Sequence, residues 1–245
     1  MLESNLIVLE IAFLLIATLY SITGHGGASG YIAVMALLGM APQEMKPIAL
    51  SLNIIVSAIA TVQFYGAGHF RRPLFTPFIL GSMPLAFIGG SQQLSAQWFN
   101  YLMGAALIFA ALRIFSKHAQ TLRVSAPPFS VACGIGAAIG LLSGLIGVGG
   151  GIFLTPLLLL LGWANPKQAA AVSAPFILLN SIAGLVGFSV QTAYHLPSHI
   201  LWLALPVLVG GLLGSYLGSR SLPMRGISGV LSAVLLIAGV KLLYV

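Results

Sequence analysis

Long apolar runs fill most of the chain, and short turns rich in proline and glycine separate them. Pairs such as Ala41-Pro42, Arg72-Pro73 and Asn165-Pro166 mark the joins. The runs cover residues 6–22, 30–40, 48–67, 74–92, 97–115, 129–146, 152–162, 168–190, 199–219 and 224–245. Segments of this length and hydrophobicity are typical of membrane helices, so the pattern predicts an all-α fold.

Composition agrees with a membrane location. Of the 245 residues, 59% are hydrophobic and 5% are charged, whereas soluble domains carry about 25% charged residues. No soluble fold of this size could cover itself with so few charges, so the sequence predicts a polytopic membrane protein. The net charge of +7 at first suggests nucleic-acid binding. However, the basic residues stand singly or in pairs beside apolar runs, as topology signals do, and no nucleic-acid partner is expected.

The two halves of the chain repeat each other in order. GHGG from Gly24 matches GVGG from Gly147, and LLG from Leu37 matches LLG from Leu160. SAIATV also matches NSIAGL, MPLAFIGG matches LPVLVGG, and IFAALRIF matches LIAGVKLL. The separation is about 122 to 128 residues throughout, which indicates a tandem duplication. We expect a first repeat at 1–115, a cytoplasmic linker at 116–128 and a second repeat at 129–245.

A glycine-rich break divides the opening segment of each half. Residues 6–40 would form a helix roughly 50 Å long, against a hydrocarbon core of about 30 Å. Two full crossings would need about 40 residues and a turn. We therefore predict a helix that enters the membrane, breaks inside it and turns back. Residues 129–162 give the same result, so each half has a re-entrant segment and three transmembrane helices.

The positions of the basic residues favour this topology. With three crossings in each half, only Lys46 and Lys241 lie on one face of the membrane. The other basic residues share the opposite face, which the positive-inside rule makes cytoplasmic: Arg71, Arg72, Arg113, Lys117, Arg123, Lys167, Arg220 and Arg225. Three crossings per half also make the repeats inverted, a geometry that recurs in secondary transporters.

The breaks carry the main chemical prediction. A free backbone N–H or C=O in hydrocarbon costs several kcal/mol, so a helix breaks there only where its freed groups line a cavity or find partners. A short helix that starts after a break directs its N–H groups and positive dipole end inward, as anion sites do. We predict a two-sided anion cradle, formed by His25, Gly26, Gly27 and Ser29 from one break and Gly149, Gly150 and Gly151 from the other.

Close helix packing is the alternative interpretation of these glycines. It is the preferred interpretation for two sets that recur at four-residue spacing, which is typical of interfaces between membrane helices. These sets are Gly136, Gly140 and Gly144, and Gly210, Gly214 and Gly218.

Buried amides and hydroxyls recur in both halves and are further candidates for substrate binding. Asn53 and Ser57 fall on one helix face, and Asn180, Ser181 and Ser173 lie in the matching region of the second half. Such groups bind an oxyanion without a fixed charge. They also form hydrogen bonds between membrane helices, and the sequence leaves both interpretations open.

Two titratable residues are candidates for coupling. His25 lies inside the first break, where it could carry a proton or serve as a structural histidine; Val148 stands at the matching position. Glu10 lies about two turns into the first apolar run, either as an intramembrane acid or at the interface. Both proton and sodium coupling stay open. We expect no cofactor or metal site, because the histidines are scattered and no carboxylate joins them.

The motifs of the second half resemble those of a known family of membrane transporters. The Gly-rich break GVGGG, followed by LLLLLGWANPKQAAAVS and ILLNSIAGLVG, is similar to the sulfite exporter TauE/SafE family of membrane transporters. The second half carries the match at Gly147 to Gly151, Pro156, Pro166 to Ser173 and Asn180-Ser181, while His25, Ala28 and Ser29 depart from it. The resemblance implies transport of sulfite, thiosulfate, small organosulfonates or related carboxylates across the bacterial inner membrane.

Three functions follow from these features. The first is a secondary transporter of a small anion that works by alternating access, with the lipid bilayer, the anion and a coupling ion as its partners. The second is a passive anion channel, which shares the same sequence features. The third is an intramembrane hydrolase with Ser143 as its nucleophile, which requires a histidine within hydrogen-bond reach. The oligomeric state stays open.

Overall fold

The computed structural model describes residues 2–115, 125–192, 200–220 and 227–244, and these residues form ten α-helices and no strand. The prediction of an all-α fold is confirmed. The helices are α1 (Leu2–Ile22), α2 (Ala28–Leu37), α3 (Pro42–Gly66), α4 (Arg72–Ser91), α5 (Ala96–Phe115), α6 (Phe129–Ile146), α7 (Gly151–Leu160), α8 (Pro166–Thr192), α9 (Ile200–Arg220) and α10 (Ile227–Tyr244). Lys117, Arg123 and Arg225 lie outside the described residues.

Within the part of the chain that the structure describes, five helices are long and apolar enough to cross a membrane: α3, α4, α6, α8 and α9. Their outward surfaces carry large apolar side chains such as Val62, Val190, Leu201 and Leu205, which suit lipid rather than water. The helices α2 and α7 have 10 residues each, or about 15 Å, half the thickness of the hydrocarbon core. The protein is therefore a multi-pass membrane protein with two short interior helices.

Helices of the two halves pair in a reciprocal pattern. The first helix of each half packs against the fourth helix of the other, α1 against α9 and α6 against α4. The third helices α3 and α8 pack together, as do the fifth helices α5 and α10. The two halves therefore interlock, and one apolar cluster combines Phe13 and Tyr31 of the first half with Val148 and Leu235 of the second. The inverted orientation of the repeats stays a prediction.

Glycines allow α4 and α6, and likewise α1 and α9, to approach backbone to backbone. A side chain at Gly136, Gly140 or Gly144 would meet the carbonyl oxygens of Phe78, Ser82 and Ala86, respectively. A side chain at Gly210, Gly214 or Gly218 would meet those of Leu14, Thr18 and Ile22. The prediction that these glycines serve helix packing is confirmed.

Lys46 and Lys241, the two basic residues predicted on the non-cytoplasmic face, bind the C-terminal ends of helices. The Lys46 Nζ donates to the carbonyls of Gly90 at 3.0 Å and of Gly89 and Gln92 at 3.4 Å. The Lys241 Nζ donates to the carbonyls of Ala36 and Leu37, both at 3.0 Å. A cation at a helix C-terminus satisfies free carbonyls and opposes the negative dipole end, so both lysines have a structural reason for their positions.

Candidate functional site

The first break separates α1 from α2 and is closed by backbone hydrogen bonds. The His25 N–H donates to the Tyr20 carbonyl at 2.9 Å, and the Gly24 N–H donates to the Ser21 carbonyl at 3.0 Å. This pair of bonds, with Gly24 at φ 73°, is a Schellman motif, which ends helices at a left-handed residue. Gly27, at φ 95°, then caps α2. The predicted interruption of this helix is confirmed.

The second break separates α6 from α7 and depends even more on glycine. Gly147, Gly149 and Gly150 have φ of 80°, 73° and 82°, a region that side chains disfavour. The Gly147 N–H donates to the Ser143 carbonyl at 2.8 Å, which ends α6, and Gly150 caps α7. Three such residues among four explain why the apolar run contains a glycine cluster here.

The two breaks face each other across one buried cleft. Ten residues line it: Tyr20, His25, Gly26, Gly27, Ala28 and Ser29 from the first half, and Val148, Gly151, Ile152 and Ile177 from the second. The space is about 170 Å³, yet it is so narrow that no water molecule fits in this conformation. Five of the predicted residues therefore line the cleft: His25, Gly26, Gly27, Ser29 and Gly151. Both short helices, α2 and α7, begin at it.

Asn53 lies between the two breaks and connects them. Its Oδ1 accepts the Ala28 N–H at 3.3 Å, and its Nδ2 donates to the Ser181 Oγ at 2.9 Å. A side chain at Gly26 or Gly149 would collide with the Asn53 amide. Asn53 is fully buried, so its side chain caps the start of α2 and ties α3 to α8.

The start of α7 has no such cap. Ile177 lies against Gly151, and no described side chain accepts a hydrogen bond from the Gly151 or Ile152 N–H. The first N–H groups of a helix have no partner within the helix itself. In this conformation the α7 end of the cleft therefore offers backbone donors, whereas the first donor of α2 is occupied by Asn53.

His25 projects from the first half toward the start of α7. Its Nδ1 lies 2.8 Å from the Thr23 Oγ1 and 3.1 Å from the Thr23 carbonyl oxygen. The ring stands edge-on to Tyr20, with 6.3 Å between ring centroids. A methyl group built on Gly151 would lie 3.4 Å from the His25 Cδ2. The imidazole is thus held on one edge by Thr23 and faces the second half with the other.

The remaining predicted residues lie around the cleft rather than in it. Gly149 packs on the Asn53–Ser181 pair, and Gly150 packs on Ile139 and Phe176. Three polar side chains form other hydrogen bonds: Ser57 with the Asn53 carbonyl at 2.6 Å, Ser173 with the Thr155 hydroxyl at 2.7 Å, and Asn180 with the Phe176 carbonyl at 2.8 Å. Glu10 is half-buried in α1 and does not line the cleft. A binding role for these residues stays a prediction.

The hydrolase alternative gains nothing from the geometry. Ser143 is buried beside Gly150, and its hydroxyl contacts no histidine among the described residues. His25, the histidine of the cleft, is paired with Thr23. His195 and His199 lie outside the described residues.

Five of the ten cleft residues were not predicted as site residues from the sequence: Tyr20, Ala28, Val148, Ile152 and Ile177. Thr23, beside the cleft, was also missed. Tyr20 lines the cleft from the last turn of α1, where its hydroxyl accepts a hydrogen bond from the Ser29 Oγ at 3.0 Å. Thr23 positions His25, and Ile177 covers the start of α7. The available signal was distance along the chain, because Tyr20 and Thr23 lie within one and a half turns of the break. The sequence offers no such signal for Ile177, because this residue lies in a continuous apolar run.

The described residues form ten helices with an apolar outer surface, and two helix breaks meet at one cleft. These features define a multi-pass membrane protein with discontinuous helices. The sequence profile described as sulfite exporter TauE/SafE matches residues 9–242. The chain belongs to this family, and the family consists of membrane transporters.

Curated relatives carry the same class of name. The chain is 38% identical over 247 residues to a probable membrane transporter protein, y4hK, of Sinorhizobium fredii, covering 99% of this chain and 100% of that one. It is 27% identical to the probable membrane transporter protein YunE of Bacillus subtilis, covering 98% of each chain. No solved structure matches.

Proposed function

We propose that this protein is a secondary transporter that moves a small anion across the bacterial inner membrane by alternating access. The substrate is a sulfur-containing oxyanion or organic anion, with sulfite, thiosulfate and organosulfonates as the candidates. One observation carries the proposal: two half-length helices, one from each half of the chain, begin at the same buried cleft. Helix N-termini stabilise anions through their free N–H groups and their dipoles.

The chemistry of the cleft supports an anion over a cation. Its lining includes the hydroxyls of Tyr20 and Ser29 and the backbone at the start of α7, and it includes no carboxylate. Hydroxyl and N–H donors of this kind bind an oxyanion without a permanent countercharge. The walls of the cleft must separate to admit a substrate, since the cleft holds no water in this conformation.

The narrowness of the cleft supports alternating access. The cleft is too narrow to hold water in this conformation, and the halves that enclose it interlock through α1 with α9 and α4 with α6. Broken-helix transporters open their midplane site by moving one group of helices against another. We expect the same motion here, with Asn53 and its partners at the contact that must rearrange.

Uptake of labelled sulfite and thiosulfate into proteoliposomes tests the proposal. Gly149→Ala places a methyl group against the Asn53 amide at φ 73° and should lower uptake at least tenfold. Gly39→Ala is the matched control, because Gly39 has φ 78° but nothing within 4 Å of a new side chain. Uptake by Gly39→Ala should stay near the wild-type rate. Equal uptake by both variants would refute a role for the break.

The kinetics distinguish a transporter from a channel. A transporter should saturate with substrate and should accelerate when unlabelled anion is present on the far side. Flux that rises linearly with concentration and shows no such exchange would identify a passive anion channel instead.

A further inference from the structure

The cleft contains one histidine and no side chain with a fixed charge. Of its ten lining residues, Tyr20 and His25 titrate, and no lysine, arginine or carboxylate is among them. The groups that face His25 are Tyr20 and Thr23 at the end of α1 and the Gly151 backbone from α7. The cleft residue from α8 is Ile177, and Asn53 from α3 is neutral. A charge on His25 would therefore meet no protein countercharge in the cleft.

Three hydrogen bonds define which ring nitrogen of neutral His25 carries the proton. The Thr23 hydroxyl donates to the Tyr20 carbonyl at 2.9 Å, so its oxygen is left to accept from the His25 Nδ1 at 2.8 Å. The Thr23 carbonyl, 3.1 Å from the same Nδ1, can only accept. Both contacts with Thr23 are satisfied when Nδ1 carries the hydrogen. The lone pair of the neutral ring is then on Nε2, on the edge that faces α7.

We propose that His25 takes up, on Nε2, the proton that travels with the anion, so that the protein is a proton-coupled anion transporter. This inference rests on the proposed function and names its coupling ion. Neutral His25 presents a lone pair to the cleft and disfavours an anion there. When Nε2 binds a proton, the ring becomes an imidazolium whose new N–H is a donor for the anion, while Nδ1–H stays bonded to Thr23. Release of the anion and the proton on the other side restores the neutral ring.

The two ligands stabilise each other in this cleft. A bare anion and a bare imidazolium are each costly inside a membrane protein, but their opposite charges attract, so each lowers the cost of binding the other. Because coupling between two binding sites is reciprocal, the proton strengthens anion binding as much as the anion strengthens proton binding. Anion affinity should therefore rise as pH falls, by up to about tenfold per pH unit while proton binding is limiting.

The test uses the full chain in vesicles that contain a trapped pH-sensitive dye, with potassium and valinomycin to hold the membrane potential. Thiosulfate is the probe, because it stays fully ionised between about pH 5 and about pH 8, where histidine changes charge. An inward thiosulfate gradient should acidify the lumen of wild-type vesicles. His25→Asn keeps a donor toward Thr23 but binds no proton, so it should lower the ratio of protons to thiosulfate at least tenfold. His69→Asn, at a histidine outside the cleft, is the matched control and should keep the wild-type ratio.

The outcomes separate the two proposals. Thiosulfate uptake by the wild type without acidification overturns proton coupling and leaves anion transport standing. An unchanged ratio in His25→Asn overturns the assignment to His25. If His25→Asn moves no thiosulfate, acidification by wild-type vesicles still decides whether transport is coupled to protons, since that measurement needs no variant. Absence of thiosulfate, sulfite and organosulfonate movement by the wild type would overturn the proposed function, and proton coupling with it.

Discussion

Asn53 and Ile177 occupy matching positions in the two halves, and one is polar where the other is apolar. Each lies 11 residues after the proline that begins its helix, Pro42 for α3 and Pro166 for α8. Asn53 accepts from the first N–H of α2, whereas Ile177 covers the start of α7 without a hydrogen bond. The duplicated scaffold therefore holds an asymmetric centre. His25, opposite Val148 in the repeat, increases the same asymmetry.

Replacing Asn53 with isoleucine should destabilise the junction of the breaks. Asn53→Ile would copy the residue of the second half, but it removes the acceptor for Ala28 and the donor for Ser181. Two buried hydrogen-bonding groups would lose their partner, at a cost of about 1–3 kcal/mol each. Thermal unfolding in detergent should show a clear drop in Tm. Ser57→Ala is the control, since Ser57 bonds a carbonyl of its own helix, and it should unfold within a few degrees of wild type.

A methyl group at Gly140 should force α4 and α6 apart. The new side chain would meet the Ser82 carbonyl, and overpacking of this kind costs about 1–3 kcal/mol. Gly134→Ala provides a control on the same helix, because nothing lies within 4 Å of a side chain there, and alanine is the better helix former. We expect Gly140→Ala to lower Tm and Gly134→Ala to preserve it. Equal Tm values would show that the α4–α6 contact is looser than described.

The sequence was sufficient to predict the helices, the two breaks and the packing role of the regularly spaced glycines. Each depends on local physics: apolar length, the positive φ that glycine tolerates, and the four-residue spacing of a helix face. The centre of the site was harder to predict. Asn53 and Ser181 were recognised as buried polar residues, but their hydrogen bond joins α3 to α8 across 128 positions of the chain. Ile177 lies in an uninterrupted apolar run, where nothing local tells a cleft wall from a lipid-facing surface.

Loss of the Lys46 ammonium should weaken the end of α4. Lys46 is 4% exposed, and its three hydrogen bonds go to backbone carbonyls at the C-terminal end of α4, where helical carbonyls run out of donors within the helix. Lys46→Met keeps most of the side-chain volume but leaves those carbonyls without the charged donor, which contributes about 1.5–3 kcal/mol per hydrogen bond. We expect a lower Tm together with faster hydrogen exchange in residues 86–92. Lys167→Met, at an exposed lysine, is the control. A Lys46→Met protein as stable as this control would mean that removing the buried charge offsets the lost hydrogen bonds.

The tautomer of His25 can be measured independently of transport. If Thr23 holds Nδ1–H as the contacts indicate, then the neutral ring has its lone pair on Nε2. Protein labelled with ¹⁵N-histidine at high pH should show a protonated Nδ1 and an unprotonated Nε2 for this residue, and His25→Asn assigns the signal by its disappearance. Thr23→Val removes the hydroxyl but keeps the carbonyl, so it should weaken this preference rather than reverse it. A signal with hydrogen on Nε2 would place the lone pair against Thr23, away from α7, and would leave the cleft without its proton acceptor.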